Sequence, residues 1–204
     1  ITAVLLIFAA VFLLVYFGVG LRKKEFARIF RTLYRLGMAA LCVLALFGIL
    51  YAPLYNRGSV YDALGLSVEG EIAQEDVYAA AQYYVKQLNL LAGELSRDGK
   101  GNVVAPYSFE ETAKRINAEF GRYGNYFACY GIRPKAVVLS VPMSYLGITG
   151  IYFPFYAEAN VNTNIPGYVL PVTMAHEMTH AKGVSRENEA NVTAYALCIR
   201  SQDD

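Results

Sequence analysis

The 204-residue chain is 55% hydrophobic and carries 18 basic and 17 acidic residues, which leaves a net charge of +1. This composition is too apolar for an ordinary soluble domain, while its 17 tyrosines, 17 glycines and many charges exclude a protein lying wholly within a membrane. Six basic residues share one short segment, and outside it acidic residues exceed basic ones, so we predict no surface for nucleic acid.

Two uncharged runs predict a membrane anchor over residues 1–55. Residues 1–20 and 38–55 contain no charged side chain, and a helix needs about 20 apolar residues to cross a hydrocarbon core of ~30 Å. A cleaved signal peptide is the alternative for the first run. No basic segment precedes that run and no clear cleavage site follows it, so we favour two spans. The chain opens on Ile1 inside an apolar run, and we expect the natural protein to begin earlier.

The segment between the two runs, residues 21–37, sets the expected orientation. It carries a single acid, Glu25, and a cluster of basic residues: Arg22, Lys23, Lys24, Arg28, Arg31 and Arg35. Short basic loops stay on the cytoplasmic side, and the apolar residues of this loop recur at a spacing that suits an amphipathic helix on the inner leaflet. Residues 56–204 are therefore expected to form a domain on the opposite, extracytoplasmic face.

The pattern of this domain predicts a mainly helical α+β fold. Apolar residues of 74–95 follow a period near 3.6, which indicates a helix. Ser108 and Glu111 form a capping box that opens a second helix ending near residue 120. Residues 135–140 and 147–162 are rich in β-branched and aromatic residues, and we interpret them as a short strand and an extended, bulged strand at the edge of a small sheet.

The three cysteines decide little. Cys42 lies in the second apolar run, so only Cys129 and Cys198 are available for a disulfide outside the membrane. A disulfide between them and two buried thiols are equally compatible with the sequence.

Both histidines of the chain fall in one short motif, His176-Glu177-x-x-His180. Positions i and i+4 lie on one face of a helix, so the two imidazoles can bind one metal ion. The glutamate can act as general base toward a water activated by that ion. Five-residue motifs also arise by chance, but here the motif uses every histidine available. Gly183 predicts the helix end, and we expect Lys182 to reach solvent in the last turn.

A third ligand is expected on the next helix, which Ser185 can cap. Glu187 lies in its first turn and is favoured as the ligand, where the helix N-terminus also helps to keep it ionised. Glu189 is the competitor, and we expect it to point away from the metal toward solvent or Arg186. Asn191, one turn after Glu187, is expected to hydrogen-bond a ligand histidine and fix its tautomer.

Two resemblances extend this interpretation. Residues 187–191, ENEAN, are similar to the E-x-x-A-D/N signature of glutamate-ligand zinc peptidases. The segments PMSYLGITGIYFPFYAEANVN and LPVTMAHEMTHAKGVSRENEAN resemble a bacterial membrane-protein family known as domain of unknown function 3810. This resemblance implies a zincin-like fold, Zn²⁺ bound by His176, His180 and Glu187, and Glu177 as the base. It also implies that the family continues beyond CIRSQDD at the end of this chain.

In zincin-like folds, the strand that precedes the metal-binding helix can pair with an extended peptide as an added strand. Residues 147–162 occupy that place in the chain. The candidate substrate contacts are therefore the backbone from Ile151 through Phe153 to Phe155 and the amides of Asn160 and Asn162.

The sequence thus predicts a multi-pass protein of the bacterial cytoplasmic membrane with an extracytoplasmic zinc peptidase domain. Its expected partners are the lipid bilayer and a peptide, protein or cell-wall peptide substrate. The alternative is a non-catalytic membrane sensor or assembly factor that uses the same scaffold as a binding module. Neither the substrate nor the oligomeric state follows from the sequence.

Overall fold

The computed structural model describes residues 2–67, 70–123, 126–127 and 130–200, with side chains from residue 10 onward. In chain order the elements are α1 (Thr2–Arg22), α2 (Phe26–Tyr51), a 3₁₀ helix (Ala52–Asn56), α3 (Val60–Leu64), α4 (Gln74–Ala92), α5 (Phe109–Gly121), β1 (Lys135–Ala136), α6 (Ser140–Tyr145), β2 (Gly150–Phe153), β3 (Glu158–Val161), α7 (Leu170–Ala181) and α8 (Glu187–Arg200). The predicted mainly helical chain with a small sheet is confirmed. The chain divides into two compact units, Ile1–Pro53 and Leu54–Asp204.

The first unit is a pair of helices. Within the part of the chain whose side chains are described, one helical segment, Phe26–Asn56, is long and apolar enough to cross a membrane. The part of α1 in the same range, Ala10–Arg22, is a shorter apolar helix. A hydrogen bond of 2.8 Å from Arg28 Nε to the Tyr16 hydroxyl ties α2 to α1. One candidate span is therefore shown by length and composition, and the second span stays a prediction.

The basic segment differs from the expected loop over residues 21–37. Only residues 23–25 form a turn, and the chain is helical again from Phe26 without a break to Tyr51. Lys24 adopts a left-handed φ of 57° in this turn. The reason for the long helix is local, because the segment after the turn is rich in arginine, leucine and alanine, which favour helix, and its only glycines are Gly37 and Gly48.

Helix α7 lies at the centre of the second unit and packs against α8, α5, β2 and β3. Most of its residues are buried, including Met174 and Met178, which have no exposed surface. Leu197 of α8 and Val161 of β3 are buried against the same core. The predicted helix that ends before Gly183 is confirmed, and Pro171 lies in its first turn. A helix buried on this scale holds its side chains in fixed positions.

The sheet has the strand order β1-β3-β2, with β1 parallel and β2 antiparallel to β3. The predicted strand over residues 135–140 is too long, because only Lys135–Ala136 pairs with β3. The chain then turns, and Ser140 begins α6. Its hydroxyl donates to the Val137 carbonyl at 2.6 Å and accepts from the Thr163 N–H at 2.9 Å, which ties the start of α6 to the ends of β1 and β3.

The predicted single strand over residues 147–162 is wrong, because this segment forms a hairpin of β2 and β3. The chain reverses at residues 154–157, where Pro154 cannot donate to a strand ladder and Ala157 adopts a left-handed φ of 50°. Strand β2 is an edge of the sheet, as expected for this segment.

The two other predicted helices are confirmed as α4 and α5. The Ser108 hydroxyl accepts a hydrogen bond of 3.2 Å from the Glu111 N–H at the start of α5, which is one arm of the predicted capping box. Cys129 lies outside the described residues, so the question of its pairing with Cys198 stays open.

Candidate metal centre

Helix α7 brings the two histidines together. They lie one turn apart on the same face, and their Nε2 atoms are 3.0 Å apart. The side chain of His180 is 4% exposed and that of His176 is 19% exposed. The pair therefore lies at the boundary between the core and solvent, with His180 on the inner side.

The turn after α7 brings Glu187 to the histidines. Gly183 has a φ of +92°, and the Val184 N–H reaches back to the Thr179 carbonyl at 3.3 Å, which closes the end of α7. Helix α8 then begins at Glu187. Its Oε2 lies 3.2 Å from His176 Nε2, and its Oε1 lies 3.5 Å from His180 Nε2.

Two hydrogen bonds orient the imidazoles. His180 Nδ1 lies 2.7 Å from the Val184 carbonyl oxygen, which only accepts, so Nδ1 carries the proton and the Nε2 lone pair is directed at the cluster. The His176 side chain is hydrogen-bonded to Asn191. The pKa of His176 is lowered, chiefly by burial and next by the charge of His180, and the Glu187 carboxylate partly opposes this shift. A neutral His176 is the form that binds metals.

The three donor atoms fit a small divalent cation. Ligands of a tetrahedral ion with bonds of about 2.0–2.1 Å lie about 3.3–3.4 Å from one another. The separations of 3.0, 3.2 and 3.5 Å in the cluster bracket this spacing. Two histidines and a carboxylate form a donor set found in catalytic zinc sites.

Glu177 follows His176 directly on α7 and is buried, with 6% of its surface exposed. Burial, and next the negative charge of Glu187, raise the pKa of Glu177 to about 8. Its carboxylate lies against the backbone of Gly150 in β2. Glu177 therefore binds a proton more readily than an exposed glutamate does.

The competing carboxylate, Glu189, lies outside the cluster of the two histidines and Glu187. It is 5% exposed, and its Oε1 is 3.0 Å from Arg186 Nη1. The described cluster of potential ligands contains Glu187 and not Glu189.

Strand β2 borders the cluster. The ring of Tyr152 stacks on that of His180 with centroids 6.2 Å apart, and burial raises the pKa of the Tyr152 hydroxyl.

The backbone of β2 has one edge without a neighbouring strand among the described residues. The Asn162 N–H donates to the Thr149 carbonyl, and in an antiparallel pair every second residue of a strand bonds the partner strand. The N–H and C=O groups of Gly150 and Tyr152 therefore face the free edge of the sheet, while those of Ile151 face β3.

The other predicted substrate residues divide into two groups. Ile151 and Phe153 are exposed on the outer face of the hairpin, and the Phe153 and Phe155 rings are 5.2 Å apart. The Asn160 amide, half-buried, donates to the carbonyls of Ile151 and Glu158 at 3.3 and 3.2 Å. Side chains of this hairpin are thus partly accessible, but Asn160 is engaged with its own sheet.

Asn162 does not fit the prediction of a substrate contact. Its side chain has no exposed surface, and its amide donates to Ser144 Oγ at 3.0 Å and to the Ile148 carbonyl at 2.9 Å. Its Oδ1 accepts from the Asn164 N–H at 2.8 Å. These bonds hold the segments before β2 and after β3 together, so Asn162 has a structural role.

Lys182 also differs from the expectation of a solvent-exposed last turn. It is 5% exposed, its ammonium group donates to the Tyr130 carbonyl, and it lies 5.4 Å from the centre of the Phe120 ring. The Tyr130 hydroxyl donates to the Ala181 carbonyl at 3.1 Å, and Arg57 Nη1 donates to the Lys182 carbonyl at 2.7 Å. The C-terminal carbonyls of α7 are therefore bonded by side chains from distant parts of the domain.

Sequence reasoning missed Gly150, Tyr152 and the Val184 carbonyl. Gly150 carried a signal, since a glycine within a β-branched and aromatic strand often marks a close approach of another group. Tyr152 and Val184 carried none, because their roles depend on the fold of β2 and on the turn after α7.

These features define a chain with a candidate membrane helix and a mainly helical domain in which two histidines and a glutamate converge beside a buried carboxyl group. The chain belongs to the family described as Protein of unknown function (DUF3810), whose model matches residues 1–204. The resemblance to this family is thereby confirmed, while the similarity to glutamate-ligand zinc peptidases stays a prediction. No curated protein and no solved structure matches the chain.

Proposed function

We propose that this protein is a membrane-anchored, zinc-dependent peptidase that hydrolyses peptide bonds of an extracytoplasmic protein or cell-wall peptide. The observation that carries the proposal is the convergence of His176, His180 and Glu187, whose donor atoms lie within 4.8 Å of one another. Glu177, between the two histidines in sequence, adds a buried carboxyl group to the same helix.

Three protein ligands suit a catalytic zinc site, because they leave a coordination position for water or substrate. The ion, when bound, supplies a Lewis acid that polarises the scissile carbonyl and lowers the pKa of a bound water to about 7. The Glu187 side chain is 72% exposed, so the cluster is open toward solvent on its side.

Glu177 is the proposed general base. It accepts a proton from the attacking water and then gives that proton to the amine nitrogen that leaves when the C–N bond breaks. Burial raises the pKa of Glu177 in the metal-free site, and a cation bound by the neighbouring histidines would lower it again toward the carboxylate form that accepts the proton.

The free edge of β2 is the proposed substrate-binding strand. An extended peptide can pair with the outward backbone groups of Gly150 and Tyr152 and lie antiparallel or parallel to β2. Gly150 is in contact with Glu177, and Tyr152 stacks on His180. A peptide on this edge therefore passes beside both the proposed base and a proposed ligand. Ile151 and Phe153, exposed on the other face of β2, are less suited to contact the scissile bond.

The proposed location is the bacterial cytoplasmic membrane, with two spans formed by α1 and α2. Basic residues cluster at the turn that joins these helices, and cytoplasmic loops carry such an excess. The end of α2 lies at the opposite end of this helix pair, so the domain that follows is assigned to the extracytoplasmic face.

Metal analysis and a peptide-library cleavage screen on the purified full chain test this function. The wild type is expected to hold about one zinc ion per chain and to cleave library peptides. Glu177→Gln should retain the zinc and lose activity by about 10²–10⁴-fold, since it removes only the base. Glu189→Gln is the matched control, as another buried glutamate outside the cluster, and should retain activity.

Equal activity of Glu177→Gln and wild type would refute the mechanism. A wild-type protein that binds zinc through four protein ligands, or binds none, would favour the non-catalytic binding module instead.

A further inference from the structure

Gly150 of β2 lies directly against the side chain of Glu177. A Cβ atom built on Gly150 would lie 2.5 Å from Glu177 Oε1, 2.6 Å from its Cγ and 2.8 Å from its Cδ. Real Cβ atoms essentially never approach other atoms so closely. The carboxylate therefore occupies the space that a side chain at position 150 would fill.

The backbone does not require glycine here. Gly150 is extended strand and is absent from the described glycines of positive φ, which are Gly65, Gly70, Gly101, Gly147 and Gly183. Glycine within a strand weakens that strand, because it loses more conformational entropy and has no side chain to pack. The close approach of Glu177 supplies the missing reason for a glycine at this position.

Glu177 has little freedom to avoid an added methyl group. The overlap extends to Cγ, so a rotation of the terminal carboxyl group alone does not relieve it. The residue is 6% exposed, and its neighbours on α7, Met174 and Met178, are fully buried. Any relief must therefore move the whole side chain of Glu177 or shift β2 away from α7.

We propose that Gly150 is a positioning residue, which sets where the Glu177 carboxylate lies relative to the scissile bond. The inference rests on the proposed peptidase function, for which Glu177 is the base. Ordinary van der Waals contact begins at 3.4 Å, so alanine at position 150 displaces the carboxylate by about 1 Å. A misplacement of about 1 Å in a catalytic group can cost about 100-fold in rate.

The kinetic test uses Gly150→Ala in the full-length protein. We expect kcat to fall about 100-fold, with KM changed by less than about threefold and the zinc content equal to that of wild type. Gly121→Ala is the matched control, because its added Cβ has no neighbour within 4 Å, and it should retain wild-type kcat. An active wild type, an inactive Glu177→Gln and a fully active Gly150→Ala would overturn the positioning role and leave the proposed function intact.

A second measurement does not depend on catalysis. Gly150→Ala should lower the Tm of the metal-free wild type by about 5 °C through overpacking. In a Glu177→Ala background, where the conflicting side chain is absent, the same substitution should cause no decrease. Equal decreases in both backgrounds, or none in either, would refute the contact as the cause. A wild type without zinc binding or hydrolysis would instead refute the proposed function, whatever the Tm values of these variants show.

Discussion

Arg186 Nη1 lies 3.0 Å from Oε1 of the buried Glu189, while Glu187, two residues earlier, lies beside His176 and His180. The two carboxylates therefore have different partners although they share the first turn of α8. This division of roles is the basis of the first prediction.

Glu187→Ala should weaken zinc binding by more than about 100-fold, which exceeds the usual cost of losing a group outside the ligand set. Glu189→Ala should leave most of the zinc affinity but lower the free energy of unfolding by about 1–3 kcal/mol, since the buried Glu189 carboxylate loses its hydrogen bond with the partly exposed Arg186. Competition with a chromogenic chelator measures the first effect, and denaturant unfolding measures the second. Loss of zinc in Glu189→Ala with retention in Glu187→Ala would reverse the assignment.

Asn191→Ala should weaken zinc binding by about 10-fold, because the ring of His176 loses the hydrogen bond that orients it. Asn188→Ala is the control, since its amide donates to the Tyr61 hydroxyl at 3.2 Å and is not bonded to either histidine. The same chelator titration applies to both variants. Equal affinities for Asn191→Ala and Asn188→Ala would show that this hydrogen bond does not support the ligand.

The proposed orientation in the membrane predicts the accessibility of two engineered cysteines, in a background whose three native cysteines are replaced. Lys100→Cys, in an exposed loop of the domain, should react with an impermeant maleimide in intact cells. Lys23→Cys, in the basic turn, should react only after lysis. The opposite pattern would place the domain in the cytoplasm and would exclude a cell-wall substrate.

Burial raises the pKa of the Cys198 thiol to about 11, against 9.0 without burial. The thiolate is the reactive form, so iodoacetamide should modify Cys198 of the folded, reduced protein about 100-fold more slowly than in denaturant at pH 8. Peptide mapping by mass spectrometry follows this residue alone. Equal alkylation rates in the folded and denatured protein would contradict the burial.

The same shift predicts a pH dependence of stability. Because the pKa of Cys198 is higher in the folded state, its protonated thiol contributes fully to the free energy of unfolding below pH 9, and this contribution decreases as the pH rises toward 11. The pH dependence of unfolding over this range should be smaller in Cys198→Ala.

Helix α7 could be predicted from the sequence because its limits are local. Pro171 and Gly183 bound it, and the spacing of His176 and His180 follows from the helical repeat. The position of Glu187 beside the histidines could be predicted in the same way, since a short turn followed by a new helix leaves few directions for its side chain.

The hairpin and the environment of Lys182 could not be predicted in this way. The reversal between β2 and β3 uses a left-handed Ala157, a residue type that gives no signal of this conformation. The ammonium group of the buried Lys182 donates a hydrogen bond to the Tyr130 carbonyl, 52 positions away in the chain. Such contacts depend on the completed fold and leave no periodic pattern in the sequence.

The hydrogen bonds of Arg57 and Tyr130 to the end of α7 also bear on the kinetics of metal exchange. These bonds fix the turn between the two ligand-bearing helices, and none of them involves a ligand atom. We therefore expect the turn to stay in place with or without the proposed zinc ion, unlike in zinc fingers, whose folding depends on the metal. The proposed zinc ion can enter or leave past the exposed side chain of Glu187 without unfolding of the domain. Its association with the metal-free site should therefore be a simple bimolecular step, whose rate is proportional to the concentration of free zinc.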